Sequence, residues 1–507
     1  MNTNNSQDLL QTLQQQQITL RLEGERLLYD APKGALSPAL LQQIREHKTE
    51  LIQLLRAQAT QPRYALPSFP QLRFWTYQQN DLSDTFHNLS YSLRLHGKID
   101  CIALEKSLYA IIQRHELLRT VLQKIDNKLQ QVIYSTGVLD MQIIELQPVD
   151  SSMQNLEKLI KAELDIPFDL ANTVPLRVRL FILADDEAIL FFCIHHIIFD
   201  DWSSHLLLQE IVNFYQHFHS NKPITLPKLT AQYADYAQWQ QQQLIQPELL
   251  ALTIQYWQHW LANSLPTLKL PVIANYSASD YQTHIYSYEL SPQLTQQLKK
   301  LCQQTETTLF TLIIATLGAL FQRYSDDDAV VFAVPMAMRQ QQQFEPLFGR
   351  IGGMLALRID VKKSDSFLEL IQTTKQSMLH TLEHQSVPFE QISYHLSPTE
   401  RPKKPLFQVL VSFLLMSLQQ QVTLPDLQIQ SIEHAETHMR LAMGLVAWEE
   451  KTPTGNYLKW SWQYRTALFE PAVIAQLHED FLQLLMDLMR NPQKKLSDLS
   501  SFQSRSL

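Results

Sequence analysis

An apolar run that ends in two histidines constrains this chain more than any other feature. Residues 188–194 (AILFFCI) are uninterruptedly apolar, and His195 and His196 follow directly. A run of this length and composition predicts a strand that is buried on both faces. The stretch 202–219 that comes after it has helical periodicity. The two histidines therefore lie where a strand ends, and a side chain there can reach a cavity while its backbone stays fixed.

Similar patterns recur along the chain and predict two α/β halves. The predicted strands are 89–95, 176–183, 188–194, 329–334, 355–361 and 409–415. The predicted helices are 102–114, 202–219, 294–302, 308–321 and 367–384. We divide the chain into a small unit (1–60), a linker (61–67), a first lobe (68–240) and a second lobe (241–507).

Composition excludes several classes of function. The net charge is −8 and no long basic tract is present, which argues against a nucleic-acid partner. The start of the chain lacks the pattern of a signal peptide, and the longest apolar stretch, 309–321, is too short to cross a bilayer, so we expect a buried helix and no membrane partner. Three cysteines without a CxxC pair fit the reducing cytoplasm.

The first 60 residues form a unit with little core of its own. Alternation in 18–22 and 27–29 predicts a β-hairpin, and Ser37-Pro38 predicts the start of a helix. Such a unit could pack on the main body as an appendage. It could equally be a docking module, in which basic side chains bind an acidic peptide tail: Arg21, Arg26, Lys33, Arg45 and Lys48.

The segment His195–Ser203 holds the residues best suited to chemistry. A neutral imidazole accepts a proton near neutral pH, and general-base catalysis is typically worth ~10²- to 10⁴-fold in rate. Successive side chains of a strand alternate, so only one histidine can face a given cavity. Asp200 could orient an imidazole, cap the next helix or pair with an arginine. On spacing alone, structural roles are the commoner outcome, and no third ligand is spaced for a zinc site.

The unit at the start of the chain resembles the TubC-type N-terminal docking domains found in nonribosomal peptide synthetases. The matching segments are 18–20 (ITL), 31–38 (APKGALSP) and 47–51 (HKTEL). The resemblance covers about residues 8–57 and favours the docking interpretation over the appendage.

The rest of the chain resembles nonribosomal peptide synthetase condensation domains. His195–Ser203 is similar to their His-His-x-x-x-Asp-Gly motif. Further motifs follow in the family's order at 114–120 (RHELLRT), 233–240 (YADYAQWQ), 384–390 (HQSVPFE) and 405–409 (PLFQV). Without the resemblance, we would take the first as a polar network at a helix end and the second as a lobe-bridging surface.

The resemblance implies a fold and a role for each residue of the site. The fold would be α/β, with two chloramphenicol-acetyltransferase-like lobes in a V and a tunnel between them. His196 would face the tunnel and act on the acceptor nucleophile, and His195 would pack inward. Asp200 would be structural and pair with Arg339. The chain itself would bind no cofactor or metal, because the substrate arrives as a phosphopantetheine thioester on a carrier protein.

Three departures from the family pattern concern the site. Asp201 replaces the motif's glycine, and aspartate tolerates positive φ better than most residues. Gly352, Gly353 and Met354 stand where the family has tunnel-lining residues that include an asparagine and a threonine. Arg440 replaces an aspartate and reverses a charge.

These features together predict a free-standing condensation enzyme. No adenylation or carrier motif follows, so we expect a separate upstream carrier protein to dock through its C-terminal tail. The acceptor would be a small soluble amine or alcohol, and the enzyme a monomer. Two alternatives remain: an epimerisation-type domain, and a non-catalytic domain that recruits carriers.

Overall fold

The small N-terminal unit is a hairpin followed by a helix. In the computed structural model, the described residues are 9, 12–13, 18–23, 26–30, 37–48, 51, 61–146, 152–244, 247–261, 268–274, 280–325, 327–339, 341–385, 407–414, 421–432, 438–452 and 455–499. Strands β1 (Thr19–Glu23) and β2 (Arg26–Asp30) pair antiparallel, and α1 spans Pro38–Glu46. The Ser37 hydroxyl accepts a hydrogen bond from the Leu40 amide at 3.2 Å, as the predicted cap requires. Residues 9, 12 and 13 are also helical.

The first lobe is built on a six-stranded sheet. Its strands from the first half of the chain are β4 (Asn88–Gly97), β7 (Met141–Glu145), β8 (Leu176–Ala184) and β9 (Glu187–His195). Strand β9 lies between β4 and β8, so the predicted apolar strand lies inside the sheet. The helices of this half are α2 (Phe69–Asn80), α3 (Cys101–Arg114), α4 (Met153–Leu164) and α5 (Asp201–Ser220). Their apolar faces and the sheet share one core.

The outer strands of that sheet come from the second half of the chain. Strand β15 (Leu427–Ile432) pairs antiparallel with β4 over its whole length, and β14 (Gln421–Thr423) pairs with β15. The boundary at residue 240 stays a prediction, but this hairpin shows that each lobe is not one continuous stretch.

The second lobe carries its own six-stranded sheet, ordered β10-β17-β16-β13-β11-β12. Its strands are β10 (Thr283–Leu290), β11 (Ala329–Met336), β12 (Gly353–Asp360), β13 (Val409–Leu414), β16 (Met443–Thr452) and β17 (Gly455–Arg465). Its helices are α8 (Pro292–Gln304), α9 (Leu309–Gln322), α10 (Phe367–Glu383) and α11 (Pro471–Arg490). Every residue from Thr311 to Gln322 is buried, which confirms the buried helix expected there.

The chain also forms a three-stranded sheet and two further helices. The sheet is β3 (Arg63–Ala65), β6 (Lys128–Ile133) and β5 (Thr120–Ile125). The helices are α6 (Tyr233–Leu244) and α7 (Pro247–Trp260). Tyr233 and Tyr236 of α6 are each 2% exposed. Their hydroxyls donate to the carbonyl oxygens of Arg350 and Ile351 at 3.0 and 3.4 Å.

Among the described residues, no helix is by itself long and apolar enough to cross a membrane. The consecutive helices α8 and α9 would pass that criterion only as a pair, and they are bent by 96° at the break between them.

Candidate active site

The loop between β9 and α5 carries the predicted catalytic segment. The strand ends at His195, and Asp200 is the N-cap of α5. Asp200 Oδ1 accepts hydrogen bonds from the Ser203 amide at 2.9 Å and from its hydroxyl at 2.6 Å. This cap satisfies an amide that the helix leaves unpaired, and it fixes the end of the short loop that holds His196.

His196 is held in one tautomer. Its Nδ1 lies 2.7 Å from the carbonyl oxygen of Phe199, and a carbonyl can only accept, so Nδ1 carries the hydrogen. In the neutral ring Nε2 then presents a lone pair. Burial, and then the positive charge of Arg350, lower the pKa of His196 well below its ordinary value. The half-buried ring is therefore neutral at physiological pH.

His195 points into the core of the first lobe. It is 3% exposed, and its Nδ1 accepts a hydrogen bond from the Ile197 amide at 3.0 Å. Its ring lies edge-on to Phe74 and Phe168. Burial lowers its pKa to about 3. These contacts suit a packing residue.

Asp200 and Arg339 form a buried bidentate pair. Arg339 Nη1 lies 3.0 Å from Oδ2, and Nη2 lies 3.1 Å from Oδ1. Oδ2 also accepts hydrogen bonds from the Ile351 and Gly352 amides, each at 3.3 Å. Burial alone would raise the pKa of Asp200, but Arg339 and Ser203 hold it at about 2. A carboxylate so stabilised is a poor proton acceptor.

Asp201 adopts a helical position and needs no glycine-like backbone. It is the first residue of α5, and it is not among the described residues with positive φ. Its side chain is exposed, yet protein surrounds it closely enough that desolvation and the Asp200 charge raise its pKa.

Of the three residues predicted to line the tunnel, Gly352 contacts Asp200 of the first lobe, whereas Gly353 and Met354 lie on strand β12 of the second lobe. A Cβ built on Gly352 would approach the Met336 carbonyl oxygen to 2.9 Å and Asp200 Oδ2 to 3.7 Å. Gly353 opens β12 opposite Met336. Met354 packs against a small cluster that contains Trp257 and Phe407. Their role toward a substrate stays a prediction.

Arg440 joins the second lobe to the first. Its guanidinium lies 3.4 Å from Asp84 Oδ2, 4.8 Å from the ring centroid of Tyr77 and 4.6 Å from that of Phe86. His87 stacks on Tyr77 with a centroid distance of 5.5 Å. The charge reversal noted in the sequence is therefore matched by an acidic and aromatic partner set across the lobes.

The predicted docking residues are only partly covered by the structure. Arg21 and Arg26 lie on β1 and β2, Arg45 lies on α1, and Lys48 is exposed just beyond that helix. Lys33 lies outside the described residues, as do 386–390 and 405–406 of the two late motifs.

The polar network at the end of α3 is present and is structural. The His115 ring stacks on Phe348 at 4.0 Å, and its Nε2 lies 2.9 Å from both carboxylate oxygens of Glu210. Arg114 donates to the same Glu210 at 2.9 Å. These contacts tie α3 to α5 and to the loop that precedes β12.

Sequence reasoning missed two contributors to the site. Arg350 lies close enough to His196 to lower its pKa, and Tyr233 donates a hydrogen bond to the Arg350 carbonyl oxygen at 3.0 Å. One signal was available: Arg350 is a lone charge inside the stretch 347–357 (LFGRIGGMLAL), which is otherwise apolar or glycine. Within the part of the chain that the structure describes, no group of three or more His, Cys, Asp or Glu could hold a metal ion.

Curated relatives support the same family. A linear gramicidin synthase of Brevibacillus parabrevis is 32% identical over 485 residues, which are 94% of this chain and 9% of that protein. Malpinin synthetase of Mortierella alpina is 31% identical over 410 residues, which are 80% of this chain and 5% of that protein. The chain thus spans less than a tenth of the length of these relatives.

Solved structures share the fold. The X-domain from teicoplanin biosynthesis, in complex with OxyB, matches with a TM-score of 0.76 at 22% identity, covering 87% of this chain and 97% of that one. The starter condensation domain of rhizomide synthetase matches with a TM-score of 0.73 at 18% identity, covering 86% and 97%. The expected two-lobed, chloramphenicol-acetyltransferase-like fold is therefore confirmed.

Family models cover nearly the whole chain. Residues 7–57 match the TubC N-terminal docking domain, and residues 61–507 match the Condensation domain. The chain therefore belongs to the condensation-domain family of nonribosomal peptide synthetases and begins with a TubC-type docking domain.

Proposed function

We propose that this chain transfers an acyl group from a carrier-protein phosphopantetheine thioester to an amine or hydroxyl acceptor, with His196 as the base. One observation carries the proposal: Nδ1 of His196 donates to the Phe199 carbonyl oxygen, so Nε2 of the neutral ring is left to accept a proton. Family relatives that only recruit partners are expected to lack the second histidine, and this chain retains it.

The reaction balances without a cofactor. The acceptor nitrogen or oxygen attacks the thioester carbonyl carbon. Its proton moves to His196 Nε2, and a tetrahedral intermediate forms. The C–S bond then breaks, and the imidazolium returns the proton to the pantetheine sulfur. The buried Asp200–Arg339 pair keeps the loop of His196 in place during both steps.

The partners follow from the two domains. The docking domain recruits the upstream acyl- or peptidyl-carrier protein through that protein's C-terminal tail and so raises the local concentration of the donor. The acceptor is a small molecule, and its acylation releases the chain as an ester or amide from a nonribosomal peptide or hybrid polyketide assembly line.

Intact-mass analysis of the acylated carrier, incubated with the full chain and a panel of amines and hydroxy acids, tests the proposal. Wild type should unload the carrier and form product. His196→Ala should lose roughly 10²- to 10⁴-fold in rate, whereas the exposed control His96→Ala should match wild type.

Each alternative has its own signature in this experiment. Equal product formation by His196→Ala would overturn the mechanism. Carrier binding without turnover of any donor would identify a recruitment domain. Exchange of the α-carbon hydrogen in deuterated water, without transfer, would identify an epimerisation-type domain.

A further inference from the structure

Arg350 is fixed at the junction of the lobes by its backbone. Tyr233 donates to its carbonyl oxygen at 3.0 Å. On one side the Gly349 amide donates to Ser203 Oγ at 3.1 Å, and on the other the Ile351 amide donates to Asp200 Oδ2 at 3.3 Å. The loop that carries Arg350 is therefore tied to the loop that carries His196.

The Arg350 side chain lies over Gly352. Its Nη1 is 3.6 Å from the position that a Cβ on Gly352 would take, and that same position is 3.7 Å from Asp200 Oδ2. Because Gly352 has no Cβ, its backbone lies close to the Met336 carbonyl, to Asp200 and to the guanidinium, next to the loop of the proposed base. The side chain is half-buried, so it is neither a solvated surface arginine nor a core residue.

The charges around Arg350 are already committed or too far away to pair with it. Asp200 is bound by Arg339 through both carboxylate oxygens. The charge of Arg350 also acts on Asp201 of α5 and on His87 and His196. Among the described residues, the structure records neither a hydrogen bond nor an ion pair within 4.0 Å for the Arg350 guanidinium.

An arginine in this state is a receptor for an anion. The guanidinium presents five donors in a planar fork that matches a carboxylate or phosphate. Placed beside His196, a phosphate could not come from the phosphopantetheine arm, because the thioester at the far end of that arm must itself reach His196. The remaining source is a carboxylate on the acceptor.

We propose that Arg350 binds the carboxylate of the acceptor, which makes the acceptor a free amino or hydroxy acid. This inference rests on the proposed acyl transfer and specifies its substrate class. The carboxylate lies against Arg350 while the amine or hydroxyl of the same molecule points to His196 Nε2. An acceptor tethered to a carrier as a thioester has no such charge and is disfavoured.

The test compares acids with their primary carboxamides as acceptors, with the nucleophile unchanged. For wild type, kcat/KM for the acid should exceed that for the amide by roughly tenfold or more, the order expected for a hydrogen-bonded ion pair. Arg350→Gln should erase the preference for the acid over the amide, mainly by raising KM for the acid. Arg350→Lys should keep part of this preference. The control Arg94→Gln removes an exposed arginine that pairs with Glu187 on the first sheet and should keep all of it. Thermal unfolding checks that each variant folds.

A binding measurement separates this inference from the proposed reaction. Fluorine NMR of 4-fluorobenzoate with the full chain should show line broadening for wild type and Arg350→Lys, and none for Arg350→Gln or for 4-fluorobenzamide. Absence of transfer with every acceptor would overturn the reaction alone. Equal use of acid and amide by wild type, or benzoate binding that survives in Arg350→Gln, would overturn the carboxylate site.

Discussion

Arg339 binds both carboxylate oxygens of Asp200, which lies 139 positions earlier in the sequence. The pair joins the segment after strand β11 of the second lobe to the start of helix α5 of the first lobe. The two side chains are only 2% and 4% exposed. A pair this buried is costly to break from one side, because the remaining charge has no partner.

Asp200→Ala should therefore lower the free energy of unfolding by about 3–5 kcal/mol. The double variant Asp200→Ala/Arg339→Met should lose less than the single one, since no buried charge is left unpaired. The exposed neighbour provides a control, and Asp201→Ala should stay within about 0.5 kcal/mol of wild type. Urea unfolding measures all three, and a double variant less stable than Asp200→Ala would contradict the pairing argument.

The pH dependence of transfer should report on His196. Burial and then Arg350 lower its pKa, and the active neutral form exists above that pKa, so the acidic limb of kcat/KM should lie below pH 6.5. Arg350→Gln removes one of these causes, so the limb should move to higher pH. Rates with a small thioester donor between about pH 5 and 8 would show this. A limb that stays in place in Arg350→Gln but moves in Arg94→Gln would refute it.

Acid should destabilise the fold through buried neutral histidines. Burial first, and then the neighbouring positive charges, lower the pKa of His87 to about 3 against 6.5 in the unfolded chain. Above pH 6.5 the His87 ring is neutral in both the folded and the unfolded chain, so it does not change the free energy of unfolding. Below pH 6.5 the unfolded state binds the proton first, so stability falls by up to about 1.4 kcal/mol per pH unit for this group. His87→Phe should flatten the slope of unfolding free energy between pH 6.5 and lower pH, whereas His96→Asn, at an exposed position, should not.

The contact of Arg440 with the first lobe should contribute measurably to stability. Arg440→Met removes the ion pair with Asp84 and the contacts with Tyr77 and Phe86, at a cost of roughly 1–2 kcal/mol. Arg440→Asp restores the family's residue but places it beside Asp84, so it should cost more. Asp84→Asn should then recover part of the loss, and no recovery in the urea midpoint would argue against a direct contact.

The docking domain should matter for carriers and not for chemistry. Deletion of residues 1–57 should raise KM for the acylated carrier and leave turnover of a small thioester mimic unchanged. Lys48→Glu should act in the same direction if the carrier tail is acidic, while Lys106→Glu, on the exposed face of α3, should not. An equal loss for carrier and mimic would mean that the domain supports the fold instead.

Strong local patterns explain which elements could be predicted. The run 188–194 specifies β9, and Ser366 caps α10 with a full capping box, because in both cases the determining residues are adjacent in sequence. Strands β14 and β15 were not predicted, since they are short and their partner β4 lies more than 300 residues away in the chain. No local period carries that information.

Some residues of the site could likewise be predicted from the sequence, and others could not. His196, Asp200 and Arg339 were identified through motif resemblance, and the structure places Asp200 and Arg339 in contact. Arg350 was missed because its importance depends on the absence of a counter-ion, which is a property of three-dimensional surroundings and not of sequence spacing.

The β14–β15 hairpin limits how this protein can be divided. A fragment that stopped at residue 240 would leave the backbone groups of β4 without their strand partner and would expose an apolar edge that invites pairing between molecules. If two halves were co-expressed, the second half would have to pair its strand β15 with β4 of the first half, in addition to packing against it. Swapping whole condensation domains at the linker before residue 68 keeps β15 with the sheet that contains β4. Exchanging single lobes between relatives would instead pair β4 with an outer strand from a different protein.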